Sequence, residues 1–249
     1  MKVYRFTDRN HLSRYAADLI IEQIIQKPDS VLGLATGSTP MDLYARLIDS
    51  YHAGEISFQT ISAFNLDEYI GLEADHPQSY RRFMRDNLFD AIDILPENTF
   101  IPDGQSKEPL QTAQAYDQLI QQSGGIDLQL LGLGTNGHVG FNEPADELMY
   151  HTHHVMLDDS TRQANARFFE SLDQVPVSAL TMGIGSIMSA KRILVLALGE
   201  NKADAVQRTV EGNITTQTPA SLLQLHPNVI VLVDEAAAER LHESSYESL

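Results

Sequence analysis

The 249-residue chain contains no cysteine, which excludes disulfides, thiolate nucleophiles and cysteine-ligated zinc or iron–sulfur centres. Cations are scarce as well, with 17 Lys and Arg against 34 Asp and Glu and a formal net charge of -17. Sequence-independent attraction to phosphate backbones and anionic lipid comes from neutralising cations, so no nucleic-acid and no membrane partner is expected. A small anionic ligand is compatible with this balance, because a few well-placed cations suffice to hold one. No apolar run approaches the roughly 20 residues that a membrane helix needs. The start, Met1 to Phe6 followed by Thr7, Asp8 and Arg9, lacks the apolar stretch of a secretory signal, which predicts the cytoplasm. Repeats, low-complexity tracts and long Pro/Gly/Ser linkers are also missing, so residues 1–249 are expected to form a single domain.

Short apolar runs recur at Val31 to Ala35, Ile61 to Leu66, Ile126 to Leu131, Ile193 to Leu198 and Val229 to Val233. Apolar on both faces, they read as strands buried in a parallel sheet. Helical spacing appears in Leu12, Tyr15, Ala16, Leu19, Ile20 and Ile24, in Leu110, Ala113, Tyr116, Leu119 and Ile120, and in Ala203, Val206 and Val210. Such alternation predicts an α/β fold: a doubly wound, mostly parallel, Rossmann-like sheet sandwiched between helix layers. Ligands of such sheets gather at the carboxyl ends of the strands, here the loops after Ala35, Leu66, Leu131 and Leu198.

Four loops follow. In Thr36-Gly37-Ser38-Thr39-Pro40, Pro40 suits a first helical position, Thr39 its cap and Gly37 a sharp turn. Free amides beside two hydroxyls could cradle a phosphate, although an ordinary capped turn reads the same way. No Walker lysine is present, so a nucleoside triphosphate is not indicated. Asn65-Leu66-Asp67-Glu68-Tyr69 carries adjacent carboxylates; strand side chains alternate faces, so one can meet a pocket while the other is structural. Around His138, Gly132, Gly134, Gly137 and Gly140 suggest that backbone comes close to a ligand, with Asn136 and Glu143 available to orient the imidazole for general acid/base work. A structural histidine in a tight loop is the other reading. Lys202, at a helix start, is opposed by the helix dipole, and a bound anion would remove that penalty, although ordinary surface placement also tolerates it; Arg162 and Arg167 are further cations, which as lone charges would most often be solvated.

These stretches, together with Phe141-Asn142-Glu143-Pro144, Ser160-Thr161-Arg162, Asn165 to Phe169 and Ala179-Leu180-Thr181-Met182-Gly183, resemble the glucosamine-6-phosphate deaminase family from about Val31 to about Asp234. The resemblance implies conversion of glucosamine 6-phosphate to fructose 6-phosphate and ammonia without metal or organic cofactor. It implies that Asp67 is the proton-transfer base, His138 the ring-opening acid/base and Glu143 a carboxylate coupled to that histidine. The phosphate would lie against Gly37, Ser38, Thr39, Arg167 and Lys202, under a mobile cover within 144–180.

Two departures from the family pattern stand out. Asn136 replaces an Asp found in many members; an amide supplies no negative charge, so Asn136→Asp is expected to shift the acidic limb of the pH–rate profile. Members activated by N-acetylglucosamine 6-phosphate use basic and serine residues where this chain reads Asp146-Glu147 and His153-His154-Val155, so no such activation is expected. The chain is also shorter than the regulated hexameric members, which points to a monomer and leaves a homo-oligomer open. The rival readings are a 6-phosphogluconolactonase-like hydrolase, which needs no C2 base, and a sugar-phosphate sensor, which would bring a basic helix-turn-helix that the N-terminal 30 residues lack.

Overall fold

A computed structural model describes residues 1–158, 162–163, 166 and 169–249. Eight strands form one wholly parallel sheet in the order β11-β1-β10-β9-β6-β2-β3-β5. They are β1 (Lys2–Phe6), β2 (Val31–Leu34), β3 (Ser62–Asn65), β5 (Thr99–Phe100), β6 (Leu128–Gly132), β9 (Arg192–Ala197), β10 (Val229–Asp234) and β11 (Glu247–Ser248). All four residues of β2 are buried, as are the central residues of β6, β9 and β10, which explains why these strands read as unbroken apolar runs. The helices flanking this sheet include α1 (Arg9–Gln26), α2 (Met41–His52), α3 (Tyr80–Asn87), α4 (Pro109–Gln122), α5 (Ile184–Met188) and α6 (Ala203–Val210). Asp8 caps α1, its carboxylate accepting the amides of Asn10 and His11 at 2.8 and 2.9 Å. No helix among the described residues is long and apolar enough to cross a membrane.

The doubly wound expectation is met, and one feature lies beyond it. A second, antiparallel sheet in the order β4-β8-β7 is built from β4 (Asp67–Tyr69), β7 (His153–Met156) and β8 (Ser178–Thr181). The Ile61 to Leu66 run thus belongs to β3, and after Leu66 the chain leaves the main sheet to pair Asp67 with Thr181. This small sheet carries its own apolar cluster of Tyr69, Phe141, Leu157 and Ala179.

The expected Thr39 cap is corrected. Pro40 itself occupies the boundary of α2, with φ -84° and ψ -1°, and its carbonyl takes the first helical bond from Tyr44 at 2.9 Å. The proline ring already holds a helical φ, so the boundary falls one residue later, and no side chain caps the helix.

Between β2 and β6 the chain leaves in opposite directions, β2 toward β3 and β6 toward β9. A crevice opens at the carboxyl ends of strands where winding reverses, and the loops after β2 and β6 are the two that border it.

Candidate active site

The loop after β6 folds back on itself, with the amide of Gly134 bonded to the His138 carbonyl at 2.9 Å and that of Gly137 to the Gly134 carbonyl at 3.0 Å. The imidazole of His138 lies against Gly134, where a Cβ would fall 2.4 Å from ring atoms. Only glycine leaves room for the ring there. His138 Nδ1 meets Glu143 Oε2 at 3.1 Å, and the Asn136 side-chain amide donates to that same oxygen at 2.6 Å. Asn136 Oδ1 in turn accepts the backbone N–H of His138 at 3.1 Å. The amide therefore acts on Glu143 and on the backbone, and the carboxylate alone addresses the ring. A carboxylate facing Nδ1 places the proton there and leaves the Nε2 lone pair for a ligand.

Asp67 opens β4 and is 7% exposed. Burial, followed by the negative charge of Glu68, raises its pKa from 3.8 to about 8. The surroundings explain the cost of ionisation. The rings of Tyr69, Tyr80 and Phe141 pack on one another, with centroids 4.8 Å apart for Tyr69 and Tyr80, 5.8 Å for Tyr69 and Phe141, and 6.3 Å for Tyr80 and Phe141, and the phenols of Tyr69 and Tyr80 are near enough to feel the charge of Asp67. Burial pushes the Tyr69 phenol up to about 12, so this wall stays neutral.

Glu68 points the other way, as alternation on a strand requires. Its carboxylate accepts the amides of Tyr80 and Arg81 at the start of α3 and its neighbour Tyr69, each at 2.9 Å. Burial raises its pKa, and the three amides work against that rise. Of the adjacent pair, then, Glu68 caps a helix and Asp67 faces the histidine loop: the position a Cβ would take on Gly140 lies 3.5 Å from Asp67 Oδ2.

Of the candidate phosphate residues, Gly37, Ser38, Thr39 and Lys202 lie on loops that follow the carboxyl ends of β2 and β9. Gly37 adopts φ +94°, and Gly37 and Ser38 are exposed while Thr39 is half-buried at the uncapped start of α2. Arg9, at the start of α1, donates from Nη2 to the Ser38 carbonyl at 2.6 Å and from Nε to Asp42. Lys202, half-buried, ends the turn Glu200–Lys202 and leads into α6. That turn is hung from Asp234 at the end of β10, whose carboxylate accepts the Gly199 amide at 3.0 Å. Sequence reasoning passed over Arg9 and Asp234; their signal was only a position at the mouth of a strand or helix.

Arg162 is a fastener in this structure, donating to the carbonyls of Leu172 and Val175 at 3.2 and 3.4 Å. Arg167 lies outside the described residues, as do Ser160, Thr161, Asn165 and Phe168. The cover expected within 144–180 is thus described in part. Phe169 packs edge-on to Tyr69 at 6.2 Å and stacks on His76 at 6.3 Å.

Residues 7–232 match the sequence profile of glucosamine-6-phosphate isomerases/6-phosphogluconolactonase. Glucosamine-6-phosphate deaminase of Shewanella loihica is 50% identical over 246 residues, covering 99% of this chain and 92% of that protein. The solved structure of a monomeric glucosamine-6-phosphate deaminase superposes with a TM-score of 0.93 at 48% identity, over 96% of this chain and 99% of the other. The 6-phosphogluconolactonase of Trypanosoma brucei reaches a TM-score of 0.77 at 23% identity, over 97% and 98% of the two chains, which is a likeness of fold.

Proposed function

The chain belongs to the glucosamine-6-phosphate deaminase family, and from that premise we propose that it converts glucosamine 6-phosphate and water to fructose 6-phosphate and ammonia. It is an enzyme that isomerises an aldose to a ketose and deaminates it. The observation that carries this reading is the pairing of Asp67, buried and raised to about 8, with a loop whose histidine is already oriented by Glu143. A lactone hydrolase has no use for a second, buried base.

The chemistry follows from the atoms. His138, with Nδ1 held by Glu143, takes the anomeric hydroxyl proton and returns one to the ring oxygen, opening the pyranose. Asp67 then removes the proton from C2 and delivers it to C1 through an enolamine. Burial raises the pKa of this carboxylate and so makes it a stronger base toward the C2 proton. The iminium left at C2 adds water and expels ammonia. Asn136 holds Glu143 in place. Gly37, Ser38, Thr39, Lys202 and, by its place in the sequence, Arg167 anchor the phosphate, so that positioning is met by binding energy remote from the reacting carbons.

Part of the segment 144–180 covers the sugar, a role supported by Phe169 resting on the Tyr69 wall. The protein works as a monomer in the cytoplasm, in amino-sugar catabolism. The test is purified protein with glucosamine 6-phosphate and a chelator, following ammonia and fructose 6-phosphate together. Equal release of both, abolished in Asp67→Asn, is the expected result; release of neither by the wild type would overturn the reading.

A further inference from the structure

Two pieces of machinery in this site come from different parts of the fold: Asp67 from the small sheet, His138 and Glu143 from the loop after β6. Proton transfer at C2 and ring opening at C1 need both held at a fixed span from one substrate, and a span between two elements requires a bracket. Strand β8 has the contacts of one. Its Thr181 lies directly opposite Asp67 in the antiparallel register, and the amide of Met182 binds the Leu66 carbonyl at 2.8 Å. Through its side chain, Thr181 Oγ1 accepts the backbone N–H of Phe141 at 3.1 Å, and the Asn142 side-chain amide donates to the carbonyls of Met182 and Val139, both at 2.8 Å. Residues 181 and 182 thus grip the base strand and the histidine loop at once.

Gly140 marks where the two meet. The position a Cβ would take there lies 2.9 Å from Thr181 Oγ1, 3.5 Å from Asp67 Oδ2 and 3.6 Å from Asn142 Nδ2. Hydroxyl, carboxylate and amide converge on the same few ångströms. Thr181 is fully buried in a strand, where valine has the same shape, pairs at least as well and buries no polar atom. A hydroxyl at such a place is therefore worth its desolvation only for what it bonds, and its bond runs to the backbone between Gly140 and Asn142.

We propose that Thr181 is a positioning residue for the reaction, its hydroxyl setting the span between Asp67 and the His138–Glu143 loop by holding the Phe141 amide. This rests on the deaminase reading above and adds to it a group that touches no substrate. Of the proposed phosphate anchors, Gly37, Ser38, Thr39 and Lys202 sit on the loops after β2 and β9, so the effect is expected on turnover more than on substrate capture.

The test compares wild type, Thr181→Val and Thr181→Ser. The valine variant is expected to fold, to lose about 30-fold in kcat and to keep KM within about twofold, since sub-ångström misplacement of reacting groups acts on the barrier. Serine, which keeps the hydroxyl, restores kcat to within about threefold of wild type. Hydrogen exchange of the Phe141 amide, read by NMR without substrate, accelerates at least about tenfold in the valine variant and returns to the wild-type rate in the serine variant. Unchanged kcat in Thr181→Val, a rise in KM alone, or a serine variant as slow as valine would each overturn the proposal; the last would assign the effect to the methyl group. A wild type inactive on glucosamine 6-phosphate would overturn the functional reading and this role with it, whereas an active wild type beside an unaffected valine variant removes this role only.

Discussion

Two buried aspartates, one at each end of the parallel sheet, are treated in opposite ways. Asp127 stands at the strand starts, immediately before β6, where its carboxylate takes Lys191 Nζ at 2.7 Å, Lys27 Nζ at 2.9 Å and the Val31 amide at 2.8 Å. Burial works to raise its pKa, but these donors together hold it below the usual carboxylate range. It ties the beginnings of β2, β6 and β9 together. Asp67 stands at the strand ends among aromatic rings with no hydrogen-bond donor among the described residues, and its pKa rises to about 8. The difference separates structural from chemical use of one side chain: a fully satisfied carboxylate fixes the fold, and an unsatisfied one costs stability and gains basicity.

The comparison breaks first at Asp67. Asp67→Asn is expected to lose about 10³-fold in kcat while remaining folded. Its stability should rise, with a definite pH dependence. A carboxylate with a raised folded pKa binds its proton more tightly in the folded state, so the stability it confers is intact below the ordinary value of 3.8 and is lost as pH climbs to about 8. The asparagine variant should therefore melt at the wild-type temperature near pH 4 and about 5 °C higher near pH 8, readable by calorimetry. Equal melting temperatures at both pH values would place Asp67 in a polar environment.

Gly134→Ala sharpens the chemical end further. Its Cβ must displace the His138 ring, and a fall in kcat of about 10²-fold with little change in melting temperature is expected from steady-state kinetics. At the other end, Asp127→Asn should leave kcat and KM at 25 °C unchanged and lower stability by about 2 kcal/mol, or about 6 °C, the partial exposure of Lys27 and Lys191 limiting the effect. The sign reverses relative to Asp67. A depressed carboxylate stabilises above its unfolded pKa, and the advantage over asparagine should vanish as pH falls through its folded value.

Asn136→Asp adds a charge beside Glu143, 2.6 Å from the present amide nitrogen, and should move the acidic limb of the pH–rate profile upward by about 1 pH unit. An unmoved limb would remove this position from proton transfer. The smallest effect expected is none: N-acetylglucosamine 6-phosphate should not change the shape of the substrate curve, because the exposed carboxylates of Asp146 and Glu147 would repel a phosphate brought beside them. A sigmoidal curve turned hyperbolic by that compound would contradict this.

The central strands were legible because burial on both faces leaves a one-dimensional trace, an apolar run such as Val31 to Leu34 or Val229 to Val233. Edge strands leave none. Thr99–Phe100 and Glu247–Ser248 are too short to register, and Lys2–Phe6, next to the edge, buries only Val3 and Phe6. The small antiparallel sheet is a long-range pairing, so nothing local in Asp67-Glu68-Tyr69 announces its partner at Ser178–Thr181. In the site, the His138 loop could be read because glycines and a histidine crowd together in sequence. Thr181, Asn142, Arg9 and Asp234 act through backbone groups of distant loops. The chemistry of such contacts belongs to the partner's place in space, which spacing along the chain does not encode.

The division of labour between Asp67 and Glu68 also constrains how this region can change over evolutionary time. The two carboxylates are neighbours on one strand, one turned to the histidine loop and the other capping α3. A one-residue insertion or deletion between Asn65 and Asp67 would exchange their faces, leaving the longer glutamate in the aromatic pocket and the shorter aspartate reaching for a helix start. Helix anchoring and basicity would be lost in the same event. A change in the length of this segment is therefore expected to do more damage than a change in its composition.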